Sequence, residues 1–157
     1  MQTFLPYSNF QKTAEVLDWR RLGKQRVEGM QIIKTILTPE QKGWQNHPIV
    51  IMWTPYINAL KHYTNVMIRE WINRGYNNTM EIYPVDEMIN DDMVEFPHWL
   101  GKESFHSSHR ANLLRKDYEY YSQFGWKENL ESPYVWLDAD HKRWYEQITG
   151  TKGRIYL

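Results

Sequence analysis

The strongest chemical feature of the chain is a carboxylate embedded among cations. Residues 18–34 carry Arg20, Arg21, Lys24, Arg26 and Lys34 against only Asp18 and Glu28. A carboxylate among cations stays ionised and can stabilise a positive charge developing on a substrate, while guanidinium and ammonium groups grip phosphates. The same residues also support plainer readings. Lys24 and Glu28 stand four apart, as in an ordinary solvated helix pair, and Arg26 can snorkel from an apolar face to water.

A second cluster is FHSSHR, residues 105–110, followed by Arg115 and Lys116. At a helix start, Ser107, Ser108, His109 and Arg110 suit an anion, because free N–H groups and the helix dipole attract phosphate. Serine capping with surface basic groups is the alternative. His106 and His109 stand three apart and, with His47, are the candidate ligands of a metal-dependent hydrolase. However, HExxH is absent. Asn46 and His47 precede Pro48 in a loop, GWQNHP, where capping of the next helix competes with a functional role. No GxSxG, Walker or GxGxxG motif occurs, which removes the common hydrolase, NTPase and dinucleotide readings.

Three principal helices position these residues. Asp18 is a good N-cap for a helix over 19–37, which Pro39 and Gly43 end. At 100° per residue, Gly29, Met30, Ile33, Ile36 and Leu37 fall within about 80° of Leu22 and predict its core face. Arg26 lies inside that stripe, and Arg21, Lys24 and Glu28 lie on its flank. Tyr56, Leu60, Tyr63, Met67 and Trp71 recur at spacings of four and three and predict a second helix over 56–74. Asn46 is the expected cap of a short run from Pro48 that Pro55 disturbs. A serine of 104–108 is the expected cap of a third helix over 107–123. Leu22, Ile33, Leu60, Met67 and Trp71 are the expected core. Residues 1–9 read as extended, with a short helix after Asn9 or Ser8 and another near 85–90. The tail from 126 reads as aromatic and irregular. The class is mainly α with few or no strands, in one compact domain over 1–157.

Composition narrows the partners. Apolar and charged shares of 41% and 24% are ordinary globular usage, which excludes disorder. With no Cys, disulfides, thiolate zinc sites and a thiol nucleophile are excluded. The chain lacks a signal peptide and an apolar run long enough to span a membrane, so an intracellular protein is expected, cytoplasmic or nucleoid-associated. The net charge of zero hides an uneven distribution: residues 81–103 hold seven acids against Lys102 alone. Eight Trp, eleven Tyr and five Phe are enough both to fill a core and to stack on bases.

Several motifs in one order carry a resemblance. QTFLPY at 2–7, LDWRRLGKQRVE at 17–28, GWQNHP at 43–48, PHWLG at 97–101 with FHSSHR, and PYVW at 133–136 together resemble a bacterial and viral family. That family is grouped with the pyrimidine-dimer DNA glycosylases of the phage endonuclease V type. Further likenesses to the phage enzymes are the basic first helix with its glutamate, the basic third helix, and an aromatic tail holding Trp144, Tyr145, Lys152, Gly153, Ile155 and Tyr156.

The resemblance implies a compact helical enzyme without cofactor or metal. It bends double-stranded DNA and flips a nucleotide out. An N-terminal α-amine attacks C1′ of the damaged nucleotide, a first-helix glutamate assists, and the resulting imine permits strand cleavage by β-elimination. Matching RLGKQRVE to the family's helix places the glutamate at Glu28. Residue 2 here is Gln, where the phage enzymes expose a small Thr followed by Arg. The nucleophile is then the amine of Met1, that of a processed Gln2, or water. Arg20, Arg21, Lys24, Arg26, His47, His106, His109, Arg110, Arg115 and Lys116 are the expected DNA contacts of a monomeric enzyme. A non-catalytic nucleic-acid-binding module needs the same basic patch without Glu28.

Overall fold

A computed structural model describes residues 1–41, 43–137, 143–148 and 151–156. The helices are α1 (Phe10–Val16), α2 (Trp19–Leu37), α3 (Pro48–Trp53), α4 (Ile57–Asn73), α5 (Asp86–Asn90), α6 (Glu103–Lys116) and α7 (Tyr118–Tyr121). The class is mainly α, and α2, α4 and α6 are the long helices.

Asp18 starts α2 as expected, its carboxylate accepting from the Arg21 amide. Asn9 caps α1 through Lys12 N–H at 2.8 Å. His47, rather than Asn46, caps α3: its Nδ1 accepts from Ile49 N–H at 3.1 Å. Pro55 lies in a 3₁₀ turn, Thr54–Tyr56, that separates α3 from α4. The third long helix differs most from expectation. It begins at Glu103 and stops at Lys116, so Ser107, Ser108, His109 and Arg110 occupy its interior rather than a free N-terminus. Their backbone N–H groups are therefore spent on helix bonds, which removes the anion site expected there.

α2 packs mainly on α4. The approach is close because α2 presents Gly29: a Cβ there would stand 2.3 Å from Thr64 Oγ1. Leu22, Ile33, Leu60 and Met67 are buried, and Trp71 packs at the core's edge. The buried arc of α2 is rotated from the expected one. Gln25 and Ile32 are inside it, whereas Met30 and Leu37 are 38% and 59% exposed. Aromatic rings fill the centre: Trp53 meets Trp99 edge-on at 5.0 Å, and Trp99 meets Phe105 at 4.9 Å.

From Tyr134 the tail forms the strands found among the described residues: β1 (Tyr134–Leu137), β2 (Arg143–Ile148) and β3 (Thr151–Tyr156) in an antiparallel meander. Tyr134 faces Gln147 and Arg143 faces Tyr156. Aromatic and β-branched residues suit such a ladder although they follow no clear alternation. The side chains of Trp144, Tyr145, Lys152, Ile155 and Tyr156 lie outside what the structure describes, as does any part they play in binding.

Candidate functional site

The first six residues pass through the interior as an extended segment, with Thr3, Phe4 and Leu5 buried. A peptide buried without a strand partner needs other groups to satisfy its backbone. Here side chains take that role. The Gln25 amide bridges two peptide groups: its Nε2 donates to Gln2 C=O at 3.1 Å, and its Oε1 accepts from Phe4 N–H at 3.0 Å. The Tyr63 hydroxyl lies 2.8 Å from Phe4 C=O and 2.6 Å from Gln25 Oε1, its single proton serving these two acceptors. Trp53 Nε1 donates to Thr3 Oγ1 at 3.1 Å.

Two histidines hold Leu5. His109 Nδ1 accepts from Leu5 N–H at 2.9 Å, so its proton sits on Nε2. His106 Nε2 accepts from Gly101 N–H at 2.8 Å, so its Nδ1 carries the proton and donates to Leu5 C=O at 2.7 Å. Both rings must be neutral for this pattern, and burial pulls both below the usual histidine range. Arg110 Nη1 donates to Pro6 C=O at 2.8 Å, and the rest of its guanidinium is paired with Glu103 and Glu128.

This fixing of the segment brings the chain's start to Glu28. The Glu28 carboxylate accepts from Gln25 Nε2 at 2.8 Å, and the N-terminal ammonium, Lys24 and the Gln2 amide favour its ionised form. Burial nonetheless dominates and raises its pKa above the ordinary glutamate value. Arg21 was the other cation expected to keep Glu28 ionised. It pairs instead with Asp18 at 3.1 Å. Burial alone would raise Asp18, but the Tyr121 hydroxyl and the Arg21 guanidinium and amide outweigh it and hold the carboxyl low.

Glu28 lies in an open cleft of about 1150 Å³ whose floor is the exposed side of α2. Gln2, Phe4, Trp19, Trp71, Lys116 and Tyr120 also line it. Arg20, Arg21, Lys24, Arg26 and Lys116 all border it. Partial desolvation, then the charges of Arg21 and Lys24, pull the Lys116 ammonium below the usual lysine range, while Glu28 pulls it back up. No acid of residues 81–103 lines this cleft among the described residues.

The expected basic surface is thus divided. Arg20, Arg21, Lys24, Arg26 and Lys116 share the cleft. Arg110 is committed to internal ion pairs, and Arg115 donates to Leu130 C=O at 2.7 Å and to Ser132 C=O. His106 and His109 are buried on backbone groups, and His47 caps α3. His106 and His109 both spend ring nitrogens on Leu5 and His47 spends one on Ile49, and no group of three His, Asp or Glu is set to hold a metal among the described residues. Gln25 and Tyr63 were not anticipated as site residues. The available signal was Gln25 itself, an amide on the apolar side of α2 that has to find partners there.

Glu28 thus shares a cleft with Gln2 and the cations of the basic helix, and its carboxylate feels the charge of the N-terminal ammonium. A family model described as pyrimidine dimer DNA glycosylase matches residues 1–84, the part containing the threaded segment, α2 and α4. No curated protein and no solved structure matches the chain. With more than half its length matched, including the amine, Glu28 and the basic helix, the chain belongs to the pyrimidine dimer DNA glycosylase family.

Proposed function

We propose that the protein excises a damaged pyrimidine from duplex DNA by attack of its N-terminal α-amine on C1′, assisted by Glu28, and then cleaves the strand as a lyase. The observation that supports this reading most is that Gln2 and Glu28 line one cation-bordered cleft, where the carboxylate feels the N-terminal charge. Family membership supports DNA as the partner and the glycosylase reaction, with pyrimidine dimers as the expected lesion.

Each step has a group available. The amine, in its neutral form, forms the N–C1′ bond as the C1′–base bond breaks, the base leaving with the bonding electron pair. An ionised carboxylate near C1′ stabilises the positive charge that builds on the sugar, as glycosidases do. The amine's proton passes to Glu28 and on to O4′, opening the ring to the imine. Loss of a C2′ proton then expels the 3′ phosphate. A carboxyl raised by burial takes up and returns a proton more readily than an exposed one. Arg20, Lys24 and Lys116 border the cleft and on this reading hold backbone phosphates.

Borohydride trapping on dimer-containing duplex tests the reading, with mass mapping of the adduct. A covalent adduct on the N-terminal residue is expected. Glu28→Gln should keep DNA affinity and lose excision by about a hundredfold or more. Excision without a trapped adduct would transfer the attack to water with Glu28 as general base. Binding without excision would leave only a DNA-binding module.

A further inference from the structure

The N-cap of α2 does more than start the helix. Asp18 is 8% exposed, and its two carboxylate oxygens have different partners. Oδ2 accepts from the Arg21 amide at 3.3 Å, which is the capping bond. Oδ1 accepts from Arg21 Nη1 at 3.1 Å and from the Tyr121 hydroxyl. The same hydroxyl accepts from Asp18 N–H at 3.1 Å. Tyr121 thus grips Asp18 by both its backbone and its carboxylate, from 103 positions away.

Tyr121 is itself fixed. It is fully buried at the end of α7, and its ring stacks on Trp126 at 5.7 Å with planes inclined at 8°. Trp126 Nε1 donates in turn to the Tyr7 hydroxyl at 2.8 Å. Burial and the bonded Asp18 carboxylate push the Tyr121 hydroxyl above the usual tyrosine range, so it stays a donor. Arg21 is the outer end of this chain of contacts. Its side chain is 23% exposed and borders the cleft. Nη1 is tied to Asp18, and no acceptor among the described residues takes Nε or Nη2.

We propose that Asp18 and Tyr121 are positioning residues, which hold Arg21 as a preset fork for one backbone phosphate of the bound DNA. The proposal rests on reading the cleft as the DNA-binding face. A guanidinium is planar and rigid, so anchoring one nitrogen fixes the direction of its remaining N–H groups. Nε and Nη2, the nitrogens left over, together match two oxygens of a phosphate. Net charge is a poor account of this arginine, because the Asp18 carboxylate at 3.1 Å offsets it. What the pair offers DNA is direction. Arg21 and Glu28 are seven residues apart, which sets them on one face of α2, about 10 Å apart along its axis. A phosphate held at Arg21 therefore fixes the strand close to the sugar at Glu28.

Affinity for one lesion-free duplex tests this, measured by anisotropy at one salt concentration and well below each variant's thermal midpoint. Asp18→Asn removes a negative charge from the cleft, so electrostatics alone calls for tighter binding. It keeps one capping oxygen but puts an NH2 donor where the second oxygen received Arg21. A loss of about tenfold is expected instead. Tyr121→Phe, which keeps the ring stack, should lose a similar factor. In an Arg21→Ala background neither change should weaken binding further, a coupling that a merely structural role would not produce. If Asp18→Asn binds as tightly as the parent or more so, or if the two changes cost as much without Arg21, the positioning role is refuted while the DNA-binding reading stands. If the parent protein does not bind the duplex, that reading fails and the positioning role fails with it.

Discussion

Gln25 Nε2 lies 2.8 Å from Glu28 Oε2, so the residue that fixes the chain's first peptide groups also fixes the carboxylate they approach. The pair makes backbone placement and acid placement a single local arrangement on two adjacent turns of α2. Gln25→Leu would leave Gln2 C=O and Phe4 N–H without their partner in a buried setting. A loss of about 2–3 kcal/mol in urea unfolding is expected. Excision should fall further than that loss explains, when measured where the variant remains folded.

Glu28 itself should be a burden on stability. Its pKa is raised on folding, so between the ordinary value of 4.5 and the higher folded value the native chain binds more protons than the unfolded one. Stability therefore falls as pH rises through that window. Glu28→Gln removes the titration. The variant should be at least as stable as the parent at pH 7, and the difference should shrink as pH drops below 4.5. Urea midpoints across pH check this. Loss of excision together with undiminished stability separates a catalytic role from a structural one.

His109 should give the opposite slope. Burial, reinforced by His106 and Arg110, pulls it well below the ordinary 6.5. Between the folded value and 6.5 the unfolded chain binds more protons, so its contribution is complete above pH 6.5 and is lost as pH falls. His106 and His62, also lowered, act in the same sense. His109→Asn keeps an acceptor for Leu5 N–H without a titrating ring. Its unfolding midpoint should depend less on pH below 6.5 than the parent's does.

The cations should separate into two classes. Lys24→Ala and Lys116→Ala should each reduce the salt slope of DNA binding by about one. Arg110→Ala should leave the slope unchanged and lower thermal stability instead, because it strands half-buried Glu128 and frees Pro6 C=O. Equal effects on the slope from Lys24 and Arg110 would overturn this division.

Much of the framework was legible in advance. The Asp18 cap, the 3.6-residue recurrence from Tyr56 to Trp71 and the punctuation by Pro39 and Pro55 placed α2 and α4 closely. Glu28 was legible as an isolated acid among cations, and its position beside the chain's start was implied by family resemblance. α6 was not legible. It is buried on several sides, including polar residues His106, Ser108, His109 and Asn112, so no amphipathic stripe marks its span. Its histidines looked like surface chemistry because sequence cannot reveal a partner about a hundred positions away. The outward turn of Met30 and Leu37 has the same origin: which arc of α2 is covered depends on where α4 and the first residues lie.

The threading of the first residues also constrains the order of assembly. Leu5 obtains its two hydrogen-bond partners from α6, 104 and 101 positions further along the chain. Contacts of such long sequence separation are closed late, because loop entropy must be overcome first. The bonds that fix Leu5 therefore form only after α6 has been made and docked. A partly folded chain can carry the whole basic helix while the segment around Leu5 is still unfixed, so on the proposed reading reactivity toward DNA arrives with the completed fold.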